Sequence, residues 1–125
     1  MLSFFQVIQL ISFSLLMSCG QILFKKTALS LSDSKDPDIA YGVFEGIVKA
    51  LSNPWLYSAL AVYAVATCFW LYILQRIPLS QAYPFTAIAM IIVPMFSVII
   101  FGDKLSYSYW MGALLIISGI SIIAR

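Results

Sequence analysis

Apolar residues run through this chain in four long blocks, and polar residues gather between them. The blocks cover about residues 3–24, 55–74, 80–101 and 107–124. A helix of roughly 20 residues rises about 30 Å, the thickness of a hydrocarbon core. Block one carries Ser14, Ser18 and Gln21 at four- and three-residue spacing, so they share a helix face. That face is expected to point at other helices or a cavity rather than at lipid. Block two opens on Asn53-Pro54, a cap followed by a favoured first helical residue. Its ends carry Trp55 with Tyr57 and Trp70 with Tyr72, the spacing of an aromatic belt. Block three contains Pro84 and Pro94. Internal prolines are tolerated where neighbouring helices satisfy the freed carbonyls, and they mark irregular helices. Block four begins with Tyr107, Tyr109 and Trp110 and offers Gly112, Ser118 and Gly119 as small contact points.

The pattern between blocks one and two differs. SLSDSKDPD reads as a loop. IAYGVFEGIVKAL then places Ile39, Val43, Ile47 and Leu51 four apart, with Phe44 and Val48 beside them. This predicts a short amphipathic helix over residues 39–51, lying at the membrane interface or on a surface loop. The fold expectation is an all-α integral membrane protein: four transmembrane helices in one domain, residues 1–125, with an amphipathic helix in the first loop.

Composition strengthens this reading. Of 125 residues, 62% are hydrophobic and 10% charged, with a mean hydropathy of +1.00. Soluble domains carry roughly 25% charged residues, and a soluble chain of this size cannot hide so much apolar surface. The N-terminal run lacks the basic start of a signal peptide and continues to Phe24, so it reads as a retained first span. Seven basic and five acidic residues give a formal net charge of +2, with no basic cluster suited to nucleic acid. There is no histidine, and Cys19 and Cys68 both sit in apolar runs. A structural disulfide and a cysteine metal site are therefore not expected, and both cysteines read as helix-packing residues. No paired carboxylates, nucleophile–base set or phosphate loop stands out, so neither enzymatic chemistry nor a cofactor is expected.

Lys and Arg leave orientation open. Arg76 and Arg125 fall on the side of the termini; Lys25, Lys26, Lys35, Lys49 and Lys104 fall on the other, with all five acidic residues. The raw count places that second side in the cytoplasm. If Lys25 and Lys26 belong to a site within the membrane, and Lys35 and Lys49 are set aside because they lie in the longer charged loop, the balance tips to cytoplasmic termini.

The candidate chemistry is sparse. Gln21 and Lys25 are four apart and stack on one face, while Lys26 points about 100° away, towards headgroups. A lone ammonium at a hydrocarbon boundary needs an anionic partner or water. Blocks one to three hold no carboxylate, so a ligand phosphate is one candidate partner. The plain alternative makes both lysines helix-end anchors. Gln81 and Tyr83 offer hydrogen bonds to a sugar or headgroup; the alternative is an interfacial tyrosine beside a first-turn proline. Trp70 and Tyr72 read as belt anchors or sugar-stacking rings. Asp103 and Lys104 read as a local ion pair. The size of the bundle favours two copies, or two similar chains, enclosing a cavity between them.

GQILFKKTA, then LQRIPLSQAYP, FGDKLS and WMGALLIISGISII, give the chain a resemblance to a known group. It resembles the small multidrug resistance and EamA-like members of the drug/metabolite transporter superfamily. The drug exporters depend on a helix-one glutamate eight residues before the lysine matched by Lys25, and Met17 stands there. A methionine cannot bind a proton or pair with a cationic drug. The small subunits of the aminoarabinose–undecaprenyl phosphate flippase are more similar. Their stretches match Gly20, Gln21 and Lys25, then Trp70, Leu71, Leu74, Gln75, Pro78, Ala82, Tyr83 and Pro84. The resemblance implies a multi-pass bacterial inner-membrane protein that moves a lipid-linked sugar phosphate as a homodimer or heterodimer. It also implies that Lys25 meets the phosphate, that Gln21, Gln81, Tyr83 and Trp70 serve the headgroup, and that Pro84 and Pro94 allow bending.

Overall fold

The computed structural model describes residues 2–32 and 43–125. Described elements are α1 (Phe4–Ser32), α2 (Val43–Leu51), α3 (Pro54–Leu74), α4 (Leu79–Ala82), a 3-10 stretch (Tyr83–Ile88), α5 (Ala89–Phe101) and α6 (Tyr107–Ile123). Three helical runs are long and apolar enough to cross a membrane: Phe4–Ser32, Pro54–Leu74 and Leu79–Phe101. The fourth, α6, is a shorter apolar helix of 17 residues. The fold is thus all-α, with three long apolar helices and one shorter one.

The largest departure from the expected boundaries is in α1, which continues through Lys25 and Lys26 to Ser32. Lysine, alanine and leucine are good helix formers, so a polar residue ends the apolar run without ending the helix. The two lysines are therefore not at a helix terminus, and matching to a helix-end dipole does not apply to them. The amphipathic helix is present as α2. Residues 39–42 of its expected range, and Asp33, Lys35, Asp36 and Asp38 of the loop before it, lie outside the described residues. Its apolar residues Val43, Phe44, Ile47, Val48 and Leu51 are all exposed.

α1 is the hub of the bundle, packing against α3, the 3-10 stretch and α5. The core cluster joins Leu10 and Phe13 of α1 to Ala66 and Ile73 of α3, then Ile77, Ala82 and Phe85 beyond it. The polar face of α1 behaves as its spacing predicts at Ser14 and Ser18, whereas Gln21 is exposed. Ser14 and Ser18 are buried, and the Ser14 hydroxyl bonds the Phe85 carbonyl at 2.8 Å. At the start of α3, the Trp55 N–H donates to Asn53 Oδ1 at 2.9 Å, with Pro54 at the first helical position.

The two prolines divide the third block. Pro84 lies in the 3-10 stretch, where i→i+3 bonding tightens the chain between α4 and α5. Pro94 lies inside α5 and cannot donate to the Met90 carbonyl one turn earlier. The Tyr109 hydroxyl of α6 reaches across and donates to that carbonyl at 2.7 Å. This is repair by a neighbouring helix, as required where no water is available. Gly102 ends α5 at φ +71°, a left-handed cap that glycine adopts without strain. Its N–H bonds the Val98 carbonyl at 3.1 Å, turning the next residue, Asp103, back over the last turn of α5.

Candidate functional site

Two faces of α1 carry the chemistry. On the α3 side, Gly20 lets a ring approach the helix backbone. A Cβ there would stand 2.5 and 2.8 Å from Cε2 and Cδ2 of Tyr63, so glycine makes room for that ring. The approach puts the Tyr63 hydroxyl 2.6 Å from Nε2 of Gln21, which donates to it. Beneath this bond lies a groove of about 310 Å³, lined among others by Phe13, Met17, Tyr63, Trp70, Tyr83 and Thr86. Trp70 stacks on Phe13 with ring centroids 4.5 Å apart and an interplanar angle of 23°. The Thr67 and Thr86 hydroxyls, also at the groove, donate to the Tyr63 and Tyr83 carbonyls at 2.8 and 2.7 Å. Their oxygens keep acceptor capacity. No ionised side chain lines the groove. Aromatic faces and neutral hydroxyls suit a sugar ring or a similar polar, uncharged group. A proton relay has nothing to work with there, because Met17 supplies a thioether where a carboxylate would be needed.

On the α5 side, Lys25 sits in a small polar cluster. Its Nζ donates to Ser97 Oγ at 2.8 Å and pairs with the Asp103 carboxylate. Ser97 Oγ also donates to that carboxylate. The ammonium lies 4.6 Å from the centroid of the Phe101 ring. The hydrogen bonds from Lys25 first and Ser97 second hold the Asp103 carboxyl below the usual carboxylate range. Two expectations change here. Asp103 pairs with Lys25 rather than Lys104, and Lys25 does not lack a carboxylate partner. Its partner comes from the turn after block three, placed by the left-handed geometry of Gly102.

The structure therefore divides the predicted site residues. Trp70 and Tyr83 line the α3-side groove, while Gln21 is not among its lining residues and is joined to it by its bond to Tyr63. Lys25 shares a helix face with Gln21 but bonds to the α5 end of the bundle instead. Gln81 is half-buried in α4 and is not among the residues lining the groove. Pro84 and Pro94 occupy the irregular third run described above. Trp70 is turned inward on Phe13 rather than serving as a belt anchor, whereas Trp55 stays exposed with the Lys26 ammonium 4.7 Å from its ring centroid. Cys19 and Cys68 are free and exposed rather than packed between helices.

Tyr63, Ser97 and the Lys25–Asp103 pairing escape a reading of the sequence. The pairing spans 78 positions, which no local spacing encodes. Gly20 beside Gln21 was a usable signal for Tyr63, since a glycine within an apolar helix marks a close approach. Among the described residues, no group of acidic, cysteine or histidine side chains could hold a metal ion.

Comparison with known proteins matches a family model, the EamA-like transporter family, over residues 3–125. Relatives include a probable 4-amino-4-deoxy-L-arabinose-phosphoundecaprenol flippase subunit ArnE from Aeromonas hydrophila. It is 39% identical over 69 residues, covering 55% of this chain and 60% of that protein. The corresponding protein of Pseudomonas fluorescens is 32% identical over 73 residues, 58% of this chain and 64% of that one. The one from Proteus mirabilis is 29% identical over 111 residues, 89% of each. The chain spans about 60% of the length of the first curated relatives it matches. No solved structure matches it. Three long apolar helices with the first as their hub, a carboxylate-free groove and a match over nearly the whole sequence lead to one conclusion: this multi-pass membrane protein belongs to the EamA-like transporter family.

Proposed function

We propose that the chain is one subunit of a flippase that moves a glycosylated polyprenyl phosphate across the bacterial inner membrane. The observation that carries this reading is the α3-side groove. It is walled by Trp70, Tyr83 and Tyr63, whose hydroxyl accepts from Gln21, and holds Met17 rather than a carboxylate. The family match and the names of the relatives point the same way. In this reading the polyprenyl tail stays in lipid while the sugar stacks against the aromatic wall and bonds to its hydroxyls. Lys25 is already held by Asp103, so the pair is a clasp between α1 and the Gly102 turn, and phosphate contact by Lys25 would require its release. The 3-10 stretch around Pro84 and the repaired kink at Pro94 are the points at which the third run bends.

The chain works as a single four-helix domain with α6 as its fourth span, and a second chain completes the cavity. Support for that pairing lies on α6. Gly112 and Gly119 face open space, and Leu114 and Leu115 are 65% and 74% exposed. A helix with so little packing of its own has surface left for a partner.

The test is headgroup accessibility in proteoliposomes carrying a defined polyprenyl-phosphate sugar, with the chain alone and with candidate partner subunits. Translocation above protein-free vesicles in at least one combination is expected. No movement of any lipid-linked sugar in every combination would leave the chain as an exporter of another amphipathic substrate or a non-transporting assembly subunit.

A further inference from the structure

The α5 side of α1 holds a second groove that the reading above does not use. Its volume is about 310 Å³. Leu15, Cys19, Ile22 and Lys26 of α1 form one wall, with Ile92, Phe96 and Ile100 of α5 opposite. The α1 positions follow a single helical stripe over 11 residues, so the groove runs about 16 Å along the helix. The α5 positions are four apart and form the facing ridge. The wall is apolar apart from Ser18, the Cys19 thiol and Lys26. The Ser18 hydroxyl already donates to the Ser14 carbonyl at 2.7 Å.

Lys26 is therefore the one charged group on this groove, and it stands at one end of it. Among the described residues it has no carboxylate partner; the ion pair of this region belongs to Lys25 and Asp103. Its contact is the Trp55 ring, which leaves the three ammonium donors without an acceptor. A long, narrow apolar channel between two membrane-crossing helices, ending at an unneutralised ammonium, is complementary to a lipid with one chain and a terminal phosphate. A second copy of this chain seated there would have to bring one of its five carboxylates to that ammonium or bury it at a high desolvation cost. A groove of this length seats only the first few isoprene units next to the phosphate, leaving the rest of the tail in lipid, whereas a diacyl lipid brings a second chain beside the first at the headgroup end.

We propose that this groove binds the isoprenoid chain of a polyprenyl phosphate, with Lys26 holding the phosphate. The proposal rests on the flippase reading for the identity of the lipid. It places the lipid beside the α5 wall while the sugar-handling groove lies across α1, and it gives the phosphate to Lys26 rather than to Lys25.

Cys19 lines the groove and reports its occupancy. The full chain carrying Cys68→Ser is reconstituted in phosphatidylcholine vesicles, and alkylation of Cys19 by a membrane-permeant maleimide is timed. With undecaprenyl phosphate at ten times its half-saturating level, labelling is expected to slow by about tenfold. Undecaprenol, which lacks the phosphate, and phosphatidylglycerol at equal molar content are expected to leave the rate unchanged. Lys26→Gln is expected to weaken protection by about tenfold or more, since a charged hydrogen bond is lost. Lys26→Arg and Lys25→Gln are expected to keep it. Equal protection by phosphatidylglycerol would assign the groove to bulk anionic lipid and overturn the proposal. Protection that follows protein density rather than added lipid would assign it to a second copy. Absence of protection, or protection that survives Lys26→Gln, also overturns it. Because the readout is occupancy, a chain that protects Cys19 yet moves no headgroup contradicts the flippase reading alone, and a chain that moves headgroups with Cys19 unprotected contradicts this one alone.

Discussion

The two faces of α1 solve the same problem in opposite ways. Towards α3 the polar groups are neutral and matched: Gly20 admits the Tyr63 ring, Gln21 bonds its hydroxyl, and the groove beyond is aromatic. Towards α5 the polar groups are charged, and the two lysines part company. Lys25 is neutralised by Asp103 and seated by Ser97, while Lys26 lines the α5-side groove with its ammonium on the ring of Trp55, at the start of α3. Adjacent residues of one type thus take different roles, because a helix turns them about 100° apart onto different neighbours. What a lysine in a membrane helix can bind is decided by whether the fold already supplies its counter-ion.

Substitutions can break that contrast, and the largest effect is expected on the α3 side. Gly20→Val adds a branched side chain where a single Cβ already meets Tyr63 within van der Waals range. Overpacking of this kind costs about 1–3 kcal/mol, and unfolding in detergent should show it, with loss of the Gln21–Tyr63 bond. Ser14→Ala comes next. It removes the hydroxyl that bonds the Phe85 carbonyl and joins α1 to the 3-10 stretch. A loss of about 1 kcal/mol in the same assay is expected, since the carbonyl is left short of a partner in the core.

The charged face is sharpened by acid. The Asp103 carboxyl is held below its ordinary range, so its contribution to the clasp is complete above about pH 4 and is lost as pH falls through the lowered value. The distance between a spin-label pair across α1 and the Gly102 turn should therefore widen only in strong acid. Lys25→Gln should remove that dependence, and a dependence unchanged in this variant would show that Asp103 is held by something else. The smallest stability effect belongs to Lys26→Gln. It forfeits one exposed cation–aromatic contact, about 0.5–1 kcal/mol, and unfolding should barely register it.

Much of the fold was legible because membrane helices announce themselves by apolar length. The bounds of α3 and the start of α6 follow from Asn53-Pro54 and from the FGDKLS turn. The end of α1 was not legible. Lys25 and Lys26 end the hydrocarbon-facing run, and the helix continues because nothing in KKTALSLS breaks it. The site divides in the same way. Spacing puts Ser14 and Ser18 on an inward face, though Gln21 beyond them is exposed, and resemblance singles out Trp70 and Tyr83, which line a common groove. Sequence proximity pairs Asp103 with its neighbour Lys104, because local charge is what a sequence displays. Its partner is instead Lys25, brought near by packing of α1 on α5 and by the left-handed turn at Gly102. Tyr109 shows the same limit, since its bond to the carbonyl freed by Pro94 depends on the crossing of α5 and α6.

The central claim is that the neutral, aromatic face of α1 handles the moving headgroup. The most direct measurement is the initial rate of headgroup translocation in proteoliposomes for the native chain, Tyr63→Phe and a Lys104→Gln control, with equal folded protein in each. Tyr63→Phe removes one hydroxyl from the groove and the acceptor of Gln21, and the account predicts a rate lower by about two- to tenfold, with the control at the native rate. A native rate in Tyr63→Phe would contradict it.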